Sequence, residues 1–333
     1  MAVRDRTRAR PRAVLCALLA PLALVAGMLA APAPASASPA GLTPVTGFGS
    51  NPGNLGMYAY VPDGLPAGAP LVLALHGCTQ SAGDYHGHSG WAELADAHGF
   101  AVVYPQTTGA NNANSCFNWF QSGDTARGQG EALSVKQMAD HAAALYGTDP
   151  ERVFVTGLSA GGAMTAELLA AYPDVFAGGS VAAGVPAGCA RSLVDAYMCM
   201  YVQSGKTPRQ WGDLARAASG GWGGPWPRVA VWHGTADTTV VPANAAESRD
   251  QWTDVHGTGQ TPAETTTLPG GTTRASYEDA TGRSVVETYT VSGMGHGLPV
   301  DPVTASGQCG TAGTYYPDRI CAGYHTAQFW GLL

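Results

Sequence analysis

Gly157-Leu158-Ser159-Ala160-Gly161 sets one serine between glycines, directly after an apolar run and directly before an alanine-rich stretch. A serine hydroxyl is a weak nucleophile until an adjacent base takes its proton. The G-x-S-x-G spacing holds such a serine on a sharp strand-to-helix turn, where side chains at the flanking positions would clash. The five residues alone are a weak signal in a chain with 45 glycines, and a serine capping a glycine-rich helix start has the same pattern. The placement favours the nucleophile, because Arg152-Val153-Phe154-Val155-Thr156 reads as a buried strand.

An acid and then a base must follow the serine in the chain. His233-Gly234-Thr235-Ala236-Asp237 comes right after the apolar residues 229–232, so Asp237 falls in a loop where it could hold an imidazole in its working tautomer. Gly293-Met294-Gly295-His296-Gly297 follows a β-rich run ending at Val291, and its glycines leave room for substrate around His296. The competing acids Asp250 and Asp254 fall in a helical pattern and read as solvated. His256 lies in polar surroundings, and His325 reads as packed or capping. A fourth segment, His76-Gly77-Cys78-Thr79-Gln80, follows the apolar residues 71–75. Acyl transfer needs backbone N–H donors where the oxyanion develops, each worth about 2.7–4 kcal/mol in rate. The N–H groups of Cys78 and Ala160 are the candidates.

These segments need a scaffold that brings them together. Short apolar runs at 71–75, 100–104, 152–156 and 229–232 suit parallel strands covered on both faces, and residues 285–291 form a further β-rich run. Helical patterns cover 91–98, 131–146, 160–171 and 324–333, with Leu133, Met138, Ala142 and Leu145 forming one stripe of the second. The alternation predicts an α/β fold: a mostly parallel central sheet flanked by helices in a single domain. In such folds active sites gather beyond the carboxyl ends of the strands, where all four segments fall. No linker divides the chain, and the Thr-, Gly- and Pro-rich residues 258–273 read as a long surface loop.

Of the 333 residues 45% are apolar and 12% charged, which fits a globular protein and excludes a disordered acidic tail, a coiled coil or a multi-span membrane protein. Five arginines up to Arg12 precede an apolar run over 14–31, and Ala35-Ser36-Ala37 supplies an A-x-A cleavage site. Residues 1–37 therefore read as a secretory signal peptide, and 38–333 as the catalytic domain. Their removal takes away five arginines and Asp5, which leaves 12 basic and 23 acidic residues, a net charge of −11. That balance argues against nucleic acid as a partner. Six cysteines remain in the exported chain: Cys78, Cys116, Cys189, Cys199, Cys309 and Cys321. They imply three disulfides, and sequence alone leaves the pairing open. No cysteine or histidine spacing suits zinc, and His86 with His88 reads as an ordinary exposed pair.

Residues 76–80, 114–120 (N-S-C-F-N-W-F), 128–133 (G-Q-G-E-A-L), 157–163 (G-L-S-A-G-G-A) and 295–300 (G-H-G-L-P-V) together resemble the extracellular poly(3-hydroxybutyrate) depolymerase-type esterases. That group also contains feruloyl and acetylxylan esterases. The resemblance implies an α/β-hydrolase fold with nucleophile Ser159, acid Asp237, base His296, oxyanion donors at Cys78 and Ala160, and no cofactor or metal. It also implies a Cys78–Cys116 bridge. Cys189–Cys199 and Cys309–Cys321 then follow from proximity in sequence. Trp119 resembles a substrate-contacting position, with a core tryptophan as the alternative reading. Trp222 and Trp226 read either as a rim for an apolar substrate or as pins for their own loop. The chain departs from the larger depolymerases by stopping after the catalytic region, so weak adsorption to solid polymer and weak action on crystalline film are expected.

The resulting expectation is a secreted serine esterase acting through an acyl-enzyme on short-chain polyhydroxyalkanoate polyester or its oligomers. A feruloyl or acetylxylan esterase acting on plant xylan is the alternative within enzymes. A non-catalytic secreted binding protein on the same scaffold is disfavoured by the complete Ser, Asp, His set. Beyond substrate, no nucleic acid, no membrane after cleavage and no obligate protein partner is expected.

Overall fold

Alternation along one strand explains how the sheet is covered. Leu71, Leu73 and Leu75 enter one apolar core, while Val72 and Ala74 between them enter a second core on the opposite face. The computed structural model describes residues 41–303 and 307–333, and the expected signal peptide over 1–37 lies outside the described residues.

The described chain begins with the antiparallel pair Thr43–Val45 (β1) and Gly56–Tyr60 (β2). Leu71–Leu75 (β3) follows, and the helices Ala82–His88 (α1) and Trp91–His98 (α2) lead to Ala101–Gln106 (β4). Ser122–Thr125 (α3) and Gly130–Tyr146 (α4) precede Val153–Leu158 (β5) and Ala160–Ala171 (α5). Gly178–Ala182 (β6), Leu193–Tyr201 (α6), Pro208–Ala218 (α7), Arg228–Gly234 (β7) and Ala243–His256 (α8) continue the alternation. Glu264–Leu268 (β8), Thr272–Glu278 (β9) and Ser284–Val291 (β10) form a meander, and Ala322–Trp330 (α9) is the last helix.

The sheet order is β1-β2-β4-β3-β5-β6-β7-β10-β9-β8. The six strands from β4 to β10 in that order pair in parallel, with antiparallel strands at each flank. Leu75 lies opposite Gly157, Leu158 opposite Ala182, Ala182 opposite Trp232, and Gly234 opposite Val291. The loops after β3, β5, β7 and β10 therefore leave from one edge. Helices α4 to α8 supply the core on one face, and α1, α2 and α9 the core on the other. This is the mostly parallel α/β arrangement, and the described residues belong to one compact unit.

Two local expectations are corrected. Residues 258–273 are not one long loop, because Glu264–Leu268 pairs with β9 as an edge strand. Its three consecutive threonines are β-branched and suit a half-exposed pleat better than a coil. The buried stripe of α4 runs through Ala132, Val135, Met138, Ala139 and Ala142, while Leu133 is only partly buried and Leu145 is exposed. Small residues let this helix lie close to the sheet.

Trp330 of α9 stacks on Phe154 of β5, with ring centroids 4.8 Å apart, and on Trp91 of α2 at 5.6 Å. It links the last helix to the central sheet. Trp330→Ala is expected to lower unfolding free energy by about 3–5 kcal/mol in urea titration. A loss under about 1 kcal/mol would show that α9 docks without this stack.

Candidate active site

β5 ends at Leu158 and α5 begins at Ala160, so the turn between them is a single residue, Ser159. Its φ of 58° and ψ of −117° are uncommon for a residue with a side chain. The turn closes because of its glycines. A Cβ on Gly157 would lie 2.3 Å from the Gly161 carbonyl, and one on Gly161 would lie 2.3 Å from the Leu75 carbonyl oxygen of β3. The Ser159 N–H donates to the Ala182 carbonyl at the end of β6 (2.9 Å). Other side-chain-bearing residues with positive φ follow the two strands that flank β5: Thr79 (63°) after β3 and Ala183 (46°) after β6. Strain of this kind concentrates at functional sites.

Asp237, after β7, is buried and fully bonded. Its Oδ1 accepts the N–H groups of Thr239 (2.8 Å) and Val240 (2.9 Å). Its Oδ2 accepts from His296 Nδ1 at 2.8 Å. Burial by itself would raise the carboxyl's pKa. Hydrogen bonds from His233 and His296, the charge His296 can carry, and the Val240 N–H outweigh it and hold Asp237 well below the usual carboxylate range. With Nδ1 of His296 committed to Asp237, Nε2 is left to accept a proton.

Sequence reasoning passed over His233. Its Nε2 faces the Val240 carbonyl (2.9 Å) and lies 3.5 Å from Asp237 Oδ2. Both neighbours are acceptors, so Nε2 carries the proton. The available signal was its place near the end of β7, four residues before Asp237.

The loop after β3 stands beside the elbow: a Cβ on Gly77 would lie 3.5 Å from that of Ser159. His76 is buried, which pushes its pKa down to about 4 despite the Gly77 hydrogen bond, so the ring is neutral. Its Nδ1 donates to the Gly77 carbonyl (2.7 Å), and its Nε2 accepts the Thr107 N–H (3.2 Å). Gln80 Oε1 accepts both the Gly77 N–H (2.9 Å) and the Tyr316 hydroxyl (3.1 Å). The Thr79 N–H donates to the Asn114 carbonyl (2.7 Å), and a disulfide joins Cys78 to Cys116. Cys189–Cys199 and Cys309–Cys321 are the other two bridges, so the structure carries the three pairs named above. Among the described residues, neither the Cys78 N–H nor the Ala160 N–H donates to another backbone or side-chain group.

The structure thus bonds His296 to Asp237 directly and joins Ser159 to them through the shared sheet edge. No hydrogen bond between the Ser159 hydroxyl and His296 forms among the described residues. Contacts of this kind commonly tighten only when substrate is bound. The competing residues are engaged elsewhere. Asp250 pairs with Arg249 and Asp254 with Arg216, where sequence had them solvated; His256 faces the Pro227 carbonyl; His325 lies beside Trp232 and Tyr289.

Of the two readings open for each tryptophan, the packing favours the structural one. Trp119 is 5% exposed and packs edge-on against Phe120, which favours its core reading over direct substrate contact. Trp222 and Trp226 precede Arg228, the first residue of β7, and so lie at the amino edge of the sheet, away from Ser159. There Trp222 Nε1 donates to the Pro225 carbonyl (3.0 Å) and Trp226 packs on Trp252, which pins the loop.

The family model described as Esterase PHB depolymerase matches residues 55–275. Over 299 residues the chain is 53% identical to poly(3-hydroxyalkanoate) depolymerase C of Paucimonas lemoignei, spanning 90% of this chain and 72% of that one. It is 38% identical to an acetylxylan esterase of Coprinopsis cinerea (80% and 72%) and 36% identical to feruloyl esterase B of Talaromyces funiculosus (79% and 74%). Among solved structures, an acetyl xylan esterase from Aspergillus awamori superposes with a TM-score of 0.74 at 30% identity, covering 88% of this chain and 99% of that one.

Glu131 braces the segment that carries Cys116. Its Oε2 accepts the Asn118 N–H at 2.7 Å, two residues from Cys116, while its buried Oε1 finds no hydrogen bond among the described residues. Burial pushes its pKa up to about 8, against the Asn118 hydrogen bond and with help from Asp124. The unfolded chain releases this proton near pH 4.5 and the folded chain near 8, so stability falls as pH rises through that window. Glu131→Gln keeps the acceptor and removes the titration. Urea titrations at pH 5 and pH 8 should show the wild type losing at least about 1 kcal/mol more than the variant; parallel losses would contradict this.

Proposed function

The chain belongs to the PHB depolymerase esterase family and is a carboxylic ester hydrolase, and from that premise we propose that Ser159, His296 and Asp237 form its catalytic triad. The observation that carries this reading is the buried Asp237–His296 pair, at the same sheet edge as a serine held in a strained turn. His296 Nε2 takes the Ser159 proton as Oγ attacks the ester carbonyl. The oxyanion is held by the free N–H groups of Cys78 and Ala160. His296 then gives its proton to the leaving alcohol and the acyl-enzyme forms. Water, deprotonated by His296, attacks this ester and releases the acid. Asp237 stays ionised throughout, because its carboxyl lies far below the pH range in which a histidine base is neutral.

The substrate reading is a short-chain polyhydroxyalkanoate polyester or its oligomers, supported by the 53% identity to poly(3-hydroxyalkanoate) depolymerase C. The second reading, acetylated or feruloylated xylan, is supported by the acetylxylan and feruloyl esterases among the relatives and by the acetyl xylan esterase structure. A parallel assay on hydroxybutyrate trimer, amorphous polyester and feruloylated or acetylated xylan separates them. Polyester products are expected, and release of ferulate or acetate alone would favour the second reading. Secretion after cleavage at Ala37 is part of the same proposal: three disulfides suit an oxidising compartment. No helix among the described residues is long and apolar enough to cross a membrane.

Two variants test the triad. Ser159→Ala should keep its far-ultraviolet spectrum and lose turnover by about 10⁶-fold on a nitrophenyl ester. Asp237→Asn should lose about 10⁴-fold, because the amide favours the wrong imidazole tautomer. Near-wild-type turnover in either folded variant would remove that residue from the mechanism.

A further inference from the structure

α6 turns an apolar face to solvent. Leu193, Val194, Tyr197, Met198 and Tyr201, with Val202 just beyond, are 48–73% exposed, and they make up six of the ten large apolar residues left exposed among the described residues. Spaced at i, i+1, i+4, i+5 and i+8, the first five form one helical stripe. Contiguous apolar surface of this kind marks an interaction site.

The helix is built to present that stripe. Its inner residues Ala196 and Cys199 are buried, Cys199 is bridged to Cys189, and the Asn244 side-chain amide donates to the Cys199 carbonyl (3.0 Å). Its single charged residue, Asp195, is folded back to the amino end, where it accepts from the Ser192 hydroxyl (2.8 Å). Tyr197 and Tyr201 lie with nearly parallel rings, at 5° and 6.4 Å between centroids. The patch borders the segment that is tied to the loop after β3. A groove runs from Leu193 and Tyr197 to Asn114 and Phe120. Asn114 holds the Thr79 N–H, and the Cys78–Cys116 bridge ties the same segment to the proposed oxyanion loop.

We propose that the exposed face of α6 is the surface by which this enzyme adsorbs to solid aliphatic polyester, feeding a chain along the groove toward Ser159. The proposal rests on the polyester reading of the site. An uncharged polymer of methyl-bearing esters matches a stripe of leucine, valine, methionine and tyrosine whose neighbouring charges, Arg191 and Asp195, stand at its amino end. A polysaccharide would engage the hydroxyls and rings of Tyr197 and Tyr201, but would find no hydrogen bond at Leu193, Val194 or Met198, which a methyl-bearing polyester covers.

The test uses Val194→Gln/Met198→Gln, away from the groove, and measures adsorption with Ser159→Ala protein so that the film is not eroded. On poly(3-hydroxybutyrate) film the double variant should bind about tenfold more weakly, since two apolar side chains no longer leave water together. In the Ser159 background, film hydrolysis at low enzyme should fall in parallel, while hydrolysis of a soluble nitrophenyl butyrate changes less than twofold. Unchanged adsorption would overturn the proposal. So would binding to insoluble xylan in place of polyester, or a wild-type dimer in sedimentation that the double variant dissolves. Nitrophenyl ester hydrolysis without any polyester cleavage would instead overturn the substrate reading and leave the triad standing.

Discussion

The close approach of α5 to the ends of β3, β5 and β6 is the constraint on which the rest of the site depends. Gly161 lies so near the Leu75 carbonyl that no side chain fits, and Gly157 is equally crowded by Gly161. Because the helix begins this deep against the sheet, Ser159 must turn through positive φ, and its N–H reaches the last residue of β6. The same approach sets Gly77 against Ser159, so the loop after β3 and the start of α5 form one wall. Backbone strain is tolerated there because neighbours on three strands fix the turn from several directions.

Across the sheet edge the governing interaction is electrostatic. A buried carboxylate is costly unless hydrogen bonds hold its charge. Asp237 has them on both oxygens: two backbone N–H groups on one, His296 on the other, with His233 close by. Parallel pairing of β7 with β10 is what brings the loops carrying Asp237 and His296 together, since Gly234 and Val291 leave the sheet side by side. Imidazole orientation is therefore a consequence of strand register as much as of local sequence.

Much of this was legible in the sequence because the informative residues follow apolar runs. The runs at 71–75 and 153–158 are buried on both faces, so their apolar character is continuous and their ends are sharp. Where the reading failed, a competing physical fact was hidden. Threonines in 264–268 looked like coil because an edge strand need not alternate cleanly. For Trp222 and Trp226 the rim and pin readings stayed open because composition does not say which end of a strand a loop adjoins, although their place before Arg228 does. His233 and Glu131 act through distances that no spacing rule encodes. α6 was missed for a different reason: an apolar helix stripe reads the same whether it faces a core or solvent.

The most direct measurement is chemical. Treat the folded, active protein with an alkyl fluorophosphonate and locate the adduct by peptide mass spectrometry. A serine activated by His296 displaces fluoride and becomes phosphonylated, so one adduct per molecule is expected, on the peptide carrying Ser159, with loss of esterase activity in step with labelling. A protein that hydrolyses esters yet takes no label, or takes it on a residue other than Ser159, would contradict the proposed triad.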